Sequence, residues 1–310
     1  MNVFVTGATG FIGSHVVRRL ITEGDRVYAL IRRGSNTWRI MDVLSSVRVV
    51  ECDLFSTDEL GEHLSRIRPD TCIHLGWYVE PGMYLRSLEN LRFMSASIWL
   101  ATRLAALGCK RFVSAGTCFE YDTDLGYLSE GSRTLPQSLY AASKLGLHLI
   151  LDQLGRLTGM SIAWLRFFYL YGPYEDKRRL VPSVICSLLQ GEKARVTSGE
   201  QVRDFLHVED VASAIVAVSR SGISGPVNIG SGRPVTVRDV VLKIGSIVGR
   251  PDLIVLGAIP YSGSDPRFIC ADNRLLTEGT GWSPSYDLDD GLRHTAKWWE
   301  SRIIKGKAGL

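Results

Sequence analysis

Short apolar runs alternate with amphipathic stretches through the first half of the chain. Residues 2–6, 26–31, 47–52, 71–75, 111–114 and 161–167 are rich in β-branched, aliphatic and aromatic side chains and read as strands. Between them, 11–23, 57–66, 84–107 and 139–158 carry their apolar residues at helical spacing. At least six strand–helix units in that order predict an α/β fold, a doubly wound parallel sheet covered by helices on both faces. Past Tyr171-Gly172-Pro173 the alternation ends, and short strands mix with helices at 180–190, 209–220, 236–248 and 288–302. Two units are expected: 1–168, to which 202–230 returns, and 169–310, mainly a smaller, discontinuous C-terminal domain. The closing residues 305–310 read as a tail.

Composition narrows the class. With 45% hydrophobic and 22% charged residues the chain has the apolar content that disordered proteins lack. Thirty-six Lys and Arg against 32 Asp and Glu leave a net charge of only +4, without a long basic run, so no nucleic-acid partner is expected and a small acidic ligand stays open. Six cysteines form no C-x-x-C pair and no Cys/His ligand spacing, which points to buried free thiols and to no metal site. The N-terminus moves straight into a strand-like run, and no apolar run reaches the ~18 residues of a membrane span, so the expectation is a cytoplasmic protein with no membrane partner.

The candidate chemistry begins at Gly7-Ala8-Thr9-Gly10-Phe11-Ile12-Gly13, which closes the first strand and opens the first helix. Gly7 permits a tight turn, Gly10 lets backbone approach a pyrophosphate, and Gly13 allows close helix–strand packing, while the free N–H groups around Phe11 and Ile12 favour an anion. This is the context of a Rossmann-type dinucleotide site. The second strand ends in Arg32-Arg33 with no carboxylate, which favours NADP(H) over NAD(H), because Arg pairs with a 2′-phosphate where an acid would take the ribose hydroxyls. Asp53, followed by Leu54, either accepts from the adenine amino group or caps the next helix. Leu75 and Gly76 end the fourth strand beside the same crevice, with His74 read as a core histidine.

Tyr140 and Lys144 stand four apart on a predicted helix and so share a face. A neighbouring ammonium is expected to lower the phenol from its ordinary pKa of about 10, making Tyr140 an acid/base for a substrate hydroxyl while Lys144 also holds a cofactor ribose. Thr117, at the end of the fifth strand, is placed to orient the reacting oxygen, with Ser114 as its rival.

These residues together resemble the extended short-chain dehydrogenase/reductases, in their NAD(P)-dependent nucleotide-sugar epimerase/dehydratase branch. Further matches are Asn90, the stretch from Leu165 to Pro173, QVRDFLHVED at 201–210 and VNIGSG at 227–232. The resemblance implies that Tyr140 is the acid/base, that Lys144 assists it, and that Thr117, four residues before Tyr121, binds the sugar oxygen. It implies a nucleoside-diphosphate sugar held by the C-terminal portion, with Arg203 on the diphosphate, Arg179 and Arg267 as further contacts, and Tyr169 where many members carry Asn. It also implies a homodimer built on 84–107 and 139–158.

Departures from the pattern refine the expectation. Cys118-Phe119 stand where the 4,6-dehydratases carry Asp-Glu, and Trp77 replaces a small residue after Gly76. The resulting reading is an NADPH-dependent reductase of a nucleotide-linked 4-keto-6-deoxyhexose. An epimerase with tightly bound NAD(P) is the alternative, and a non-catalytic dinucleotide sensor a third.

Overall fold

The computed structural model describes residues 1–261, 265–304 and 306, so the tail read at 305–310 lies, Gly306 apart, outside the described residues. In chain order the first part contains β1 (Asn2–Thr6), α1 (Phe11–Thr22), β2 (Arg26–Ile31), β3 (Arg48–Glu51), α2 (Thr57–Ile67), β4 (Thr71–His74), α3 (Glu89–Ala106), β5 (Arg111–Thr117), β6 (Tyr127–Leu128), α4 (Leu139–Thr158) and β7 (Ser161–Phe167). There follow β8 (Tyr169–Tyr171), α5 (Leu180–Leu189), β9 (Ala194–Arg195), β10 (Val202–His207), α6 (Val208–Arg220), β11 (Gly225–Ile229) and β12 (Pro234–Thr236). The chain then runs through α7 (Val237–Val248), β13 (Ile254–Val255), β14 (Cys270–Ala271), α8 (Arg274–Thr280) and α9 (Leu288–Ile304).

Seven parallel strands form the main sheet in the order β11-β7-β5-β4-β1-β2-β3. Successive residues of each strand serve opposite faces, so a sheet covered on both sides needs apolar residues at every position. Val3 and Val5 pack with Val16, Val17 and Leu20 of α1 and with Val211 and Ile215 of α6. Phe4, Phe112 and Trp164 point the other way, onto Leu60 and Leu64 of α2, Leu100 and Leu104 of α3, and Leu147 and Leu151 of α4. The order reverses at β1, between β2 and β4, and the crevice at the carboxyl ends of such strands is where ligands bind in open α/β sheets.

The remainder builds a three-stranded sheet, β12-β10-β8, packed through Tyr171, Val184, Ile185, Val240, Val241, Leu292 and Trp299 against α5, α7 and α9. Within 202–230, Val202–His207 belongs to this second sheet, whereas Gly225–Ile229 pairs with β7 as the edge of the first.

Two elements differ from their sequence-based bounds by more than two residues. β5 continues past residue 114 because its pairing with β7 runs on to Thr117 opposite Phe167. The helix expected over 84–107 breaks at its start: the buried Asn90 side chain donates to the carbonyls of Tyr84 (2.7 Å) and Ser87 (2.8 Å), leaving a single turn at Tyr84–Arg86 before α3. Among the described residues, no helix is long and apolar enough to cross a membrane.

Candidate active site

A cleft of about 1010 Å³ runs over the carboxyl ends of β1, β2, β4, β5 and β7 and under the second sheet. At its floor the chain turns from β1 into α1. Gly7 adopts φ +69°, and a Cβ there would lie 2.7 Å from the Leu75 carbonyl carbon; one on Gly13 would lie 2.0 Å from Gly7 O. Gly10 caps α1 without a side chain, and no acidic residue stands in the first turn. The N–H groups of Phe11, Ile12 and Gly13, which have no partner within the helix, therefore open onto the cleft that these residues line, an environment suited to an anion.

At the end of β2 the two arginines part company. Arg32 lines the cleft together with Ser35, while Arg33, its side chain 73% exposed, pairs with Glu59 of α2 at 3.0 Å. Asp53 and Leu54 line the cleft as well. The Asp53 carboxylate accepts the Phe55 N–H at 3.0 Å in a local turn, and Ser56, not Asp53, occupies the cap position of α2.

Leu75 and Gly76 complete this end of the site, held by a hydrogen-bond relay whose direction is fixed by its ends. Gly76 N–H donates to Thr6 Oγ1 at 3.0 Å, and the Thr6 hydroxyl donates to His74 Nδ1 at 2.7 Å, the nitrogen left as acceptor because Ser97 gives its one hydroxyl hydrogen to Phe93 O and must accept from Nε2. His74 Nε2–H then donates to Ser97 Oγ at 2.8 Å, and Ser97 donates to Phe93 O at 2.6 Å. Burial pushes the His74 pKa down to about 3, so the imidazole stays neutral, a satisfied core residue.

Thr117, Tyr140 and Lys144 all line the same cleft, on β5 and on the first turns of α4, whose N-terminus is capped by Ser138 Oγ accepting the Ala141 N–H. Ala115 and Gly116 line it too, whereas Ser114 does not. The electrostatics differ from the expectation that Lys144 would depress the phenol. Burial raises the Tyr140 pKa, with Tyr84 and the Glu120 charge adding to it, and only the Thr117 hydrogen bond pulls the other way. Tyr84, brought over the site by the break before α3, stands edge-on to the Tyr140 ring at 4.9 Å. Lys144 is itself pushed down to about 7 by burial, against the attraction of Glu120. Its Nζ donates to Ala115 O at 2.8 Å and lies 5.9 Å from the Tyr140 ring centre.

Glu120 is the component that the sequence reading missed, although Thr117-x-x-Glu120 is the pattern of a reciprocal cap. Fully buried, its carboxylate accepts from Thr117 N–H (2.8 Å), Trp164 Nε1 (2.9 Å) and Arg166 Nε (2.8 Å). A Cβ on Gly116 would collide with both Trp164 and Glu120, so glycine is required there for the network to close. The result is a fixed position for Thr117.

The far end of the cleft is aromatic and basic. Tyr169 faces Phe119 edge-on at 6.4 Å and lies 6.0 Å from Phe205. The Arg203 guanidinium sits 5.2 Å over the Tyr169 ring and pairs with Asp265 at 2.7 Å. Arg179, immediately before α5, lines the cleft with its guanidinium 5.7 Å over the Tyr84 ring. Arg267 is exposed and stands apart from the lining residues; its carbonyl accepts the Val202 N–H. Asp204, next to Arg203, is structural: its carboxylate accepts from Ser231, Gly232 and Ala271 N–H groups. Elsewhere, His207, Glu209 and His294 bring ligand-type atoms within 4.8 Å of one another. His207 Nδ1 accepts the Glu209 N–H as the cap of α6 and its other nitrogen faces His294, so this cluster already serves to tie α9 to α6.

The residues fit a dinucleotide: a cradle that a Cβ would fill at Gly7 and Gly13, free N–H groups for a pyrophosphate, and a buried phenol, ammonium and hydroxyl at the other end. The family model described as the NAD dependent epimerase/dehydratase family matches residues 3–230. The UDP-glucose 4-epimerase of Azospirillum brasilense is 28% identical over 333 residues, spanning 99% of this chain and 94% of its own. Among solved structures, a UDP-glucose 4-epimerase from Thermotoga maritima, determined with UDP-glucose, is 26% identical with a TM-score of 0.89, over 98% of this chain and 100% of that one. MoeE5, determined with UDP-glucose and NAD, is 30% identical with a TM-score of 0.83, over 98% and 100%. The sheet and its crevice thus have the Rossmann-type fold of these enzymes, and the chain belongs to the NAD dependent epimerase/dehydratase family, the nucleotide-sugar branch of the extended short-chain dehydrogenase/reductases.

Proposed function

We propose that the protein is an NADPH-dependent reductase of a nucleoside-diphosphate-linked keto-deoxysugar of the 4-keto-6-deoxyhexose type. The observation that carries this reading is the wall beside Thr117. Where elimination of water would need carboxyl groups, Cys118 and Phe119 line the cleft, and burial pushes the Cys118 thiol up to about 12. What remains is proton transfer by a phenol that burial keeps protonated, the form in which an acid must wait for a developing alkoxide. A bound nicotinamide cofactor supplies the hydride. Thr117, fixed by Glu120, orients the sugar oxygen; Tyr140 gives it the proton; Lys144 assists the phenol and holds the ribose. Arg203 and Arg179 take the diphosphate, and Arg32 with Ser35 takes the adenosine 2′-phosphate.

The aromatic collar of Phe119, Tyr169 and Phe205 supports delivery of hydride to one face of the sugar, because inversion at a carbon requires the keto sugar to present its other face. Epimerisation is the second reading, favoured by the 4-epimerases among the relatives. Purified protein mixed with NADPH and a panel of keto-sugar nucleotides tests the two: stoichiometric loss of the nicotinamide absorbance supports reduction. Interconversion of sugars without net cofactor use, by protein that retains cofactor through purification, replaces it by epimerisation.

Two copies would pair through α3 and α4, where Leu91, Leu149, Ile150 and Leu157 are exposed, as is Leu88 at the cap of α3. A dimer mass in light scattering, lost in Leu149→Glu, tests that pairing.

A further inference from the structure

Trp77 lines the cleft directly after Gly76, between Phe93 and Lys144. The indole is locked from behind. Its Nε1–H donates to Asn90 Oδ1 at 2.8 Å, and the same Asn90 spends its two amide hydrogens on the carbonyls of Tyr84 and Ser87. Phe93 packs against the ring with centroids 5.9 Å apart. The ring therefore cannot turn without giving up its bond to an Asn90 amide that the Tyr84 and Ser87 carbonyls hold in place, and it presents a face to Lys144, whose Nζ lies 3.6 Å from the ring centre.

An ammonium has three hydrogens to place. One goes to Ala115 O at 2.8 Å, a second is directed at the indole face, and the third is left for a phenol or a ribose hydroxyl. We propose that Trp77 is a positioning residue: its indole face, fixed by Asn90, holds the Lys144 ammonium against the end of β5 and aims its last N–H at the reacting groups. This rests on the roles given above to Lys144 and Tyr140.

The charged and titratable groups facing Lys144 are few. Glu120, backed by Arg166 of β7, attracts the ammonium; His74 of β4 is neutral; Tyr140 on its own helix is a protonated phenol. Burial opposes the charge. A desolvated cation over an indole face is stabilised enough to matter in that balance.

Protein with ¹³C at lysine Cε, in which Lys144 is identified by the signal missing from Lys144→Met, tests the contact without any cofactor. In the unaltered protein the Lys144 methylene signals should be displaced upfield by the indole ring current; signals at the ordinary lysine position overturn the proposal. On titration, the Lys144 midpoint should fall by about one pH unit in Trp77→Leu and by less in Trp77→Phe, which keeps a weaker π face. The pH profile of turnover should move with it. An unchanged midpoint or an unchanged profile in both variants overturns the proposal. Where Trp77→Leu does not fold, the ring-current signal and Trp77→Phe decide. Tyr140→Phe separates the two readings: if it keeps full turnover, the role given to Tyr140 fails, while the lysine signals still judge Trp77.

Discussion

Arg203 and Asp265 form an ion pair at 2.7 Å inside the cleft, with the arginine side chain only 3% exposed. The guanidinium proposed to bind a diphosphate thus already has an anionic partner, which an entering ligand must displace or share. Removing Arg203 deletes charge-assisted hydrogen bonds worth roughly 1.5–3 kcal/mol each. Arg203→Ala should raise KM for the nucleotide sugar roughly 10- to 100-fold, whereas Asp265→Asn, which frees the guanidinium, should lower it about threefold. Steady-state kinetics on both variants check this; equal increases in KM would mean that Asp265 organises the arginine instead of competing for it.

Cofactor preference should divide the neighbouring arginines. Arg32 lines the cleft and Arg33 is engaged by Glu59 at the surface. Arg32→Ala should weaken NADPH roughly 10- to 100-fold, by loss of a phosphate–guanidinium contact, and leave NADH within about twofold. Arg33→Ala should change neither. Titration of cofactor fluorescence on binding measures all four affinities, and an Arg32→Ala protein that still prefers NADPH would refute the assignment.

That division marks where reading the sequence stops being sufficient. β1, β2, β7 and α4 fall at their expected bounds because each is set locally, by strand-like composition or by a helical stripe with a serine cap and a closing Gly159. Adjacent arginines after a strand are locally equivalent; which one faces the crevice depends on Glu59, on a different helix. The break before α3 depends likewise on a side-chain amide reaching back to two carbonyls, which periodicity does not register. The spacing of Tyr140 and Lys144 was legible, but the direction of their pKa shifts was not. Burial decides both, and Glu120, reaching in from another segment, adds to the shift at Tyr140 and opposes the one at Lys144.

Behind Thr117, the Glu120–Arg166 pair has side chains 0% and 3% exposed, so removing one partner strands a buried charge. Glu120→Ala should cost about 3–5 kcal/mol in stability, and Glu120→Gln less, since the amide oxygen can still accept from Thr117 or Trp164. Combining Glu120→Gln with Arg166→Met should recover much of the loss, because no unpaired charge is left. Denaturant unfolding of the unaltered protein, Glu120→Gln, Arg166→Met and the double variant gives the coupling directly, and strictly additive losses would show that the pair does not act as a unit.

Lys144 makes the opposite prediction, a stabilising loss of function. Its folded pKa, pushed down to about 7, lies below its unfolded value near 10.4. Between those two values the unfolded chain binds more protons than the folded one, so stability contributed through Lys144 rises with pH across that window. Below pH 7 both states carry the charge and the penalty of burying it is fully present. Lys144→Met removes the group that must be buried charged while keeping a side chain of similar length. In cofactor-free protein at pH 6 the variant should melt a few degrees above the unaltered protein, and by pH 10 the difference should have nearly vanished, while turnover is lost at both. Thermal unfolding at the two pH values decides it. A melting difference that stays constant with pH would mean that Lys144 titrates normally, its ammonium solvated or fully compensated, and that the proton traffic assigned to this corner of the cleft does not depend on its burial.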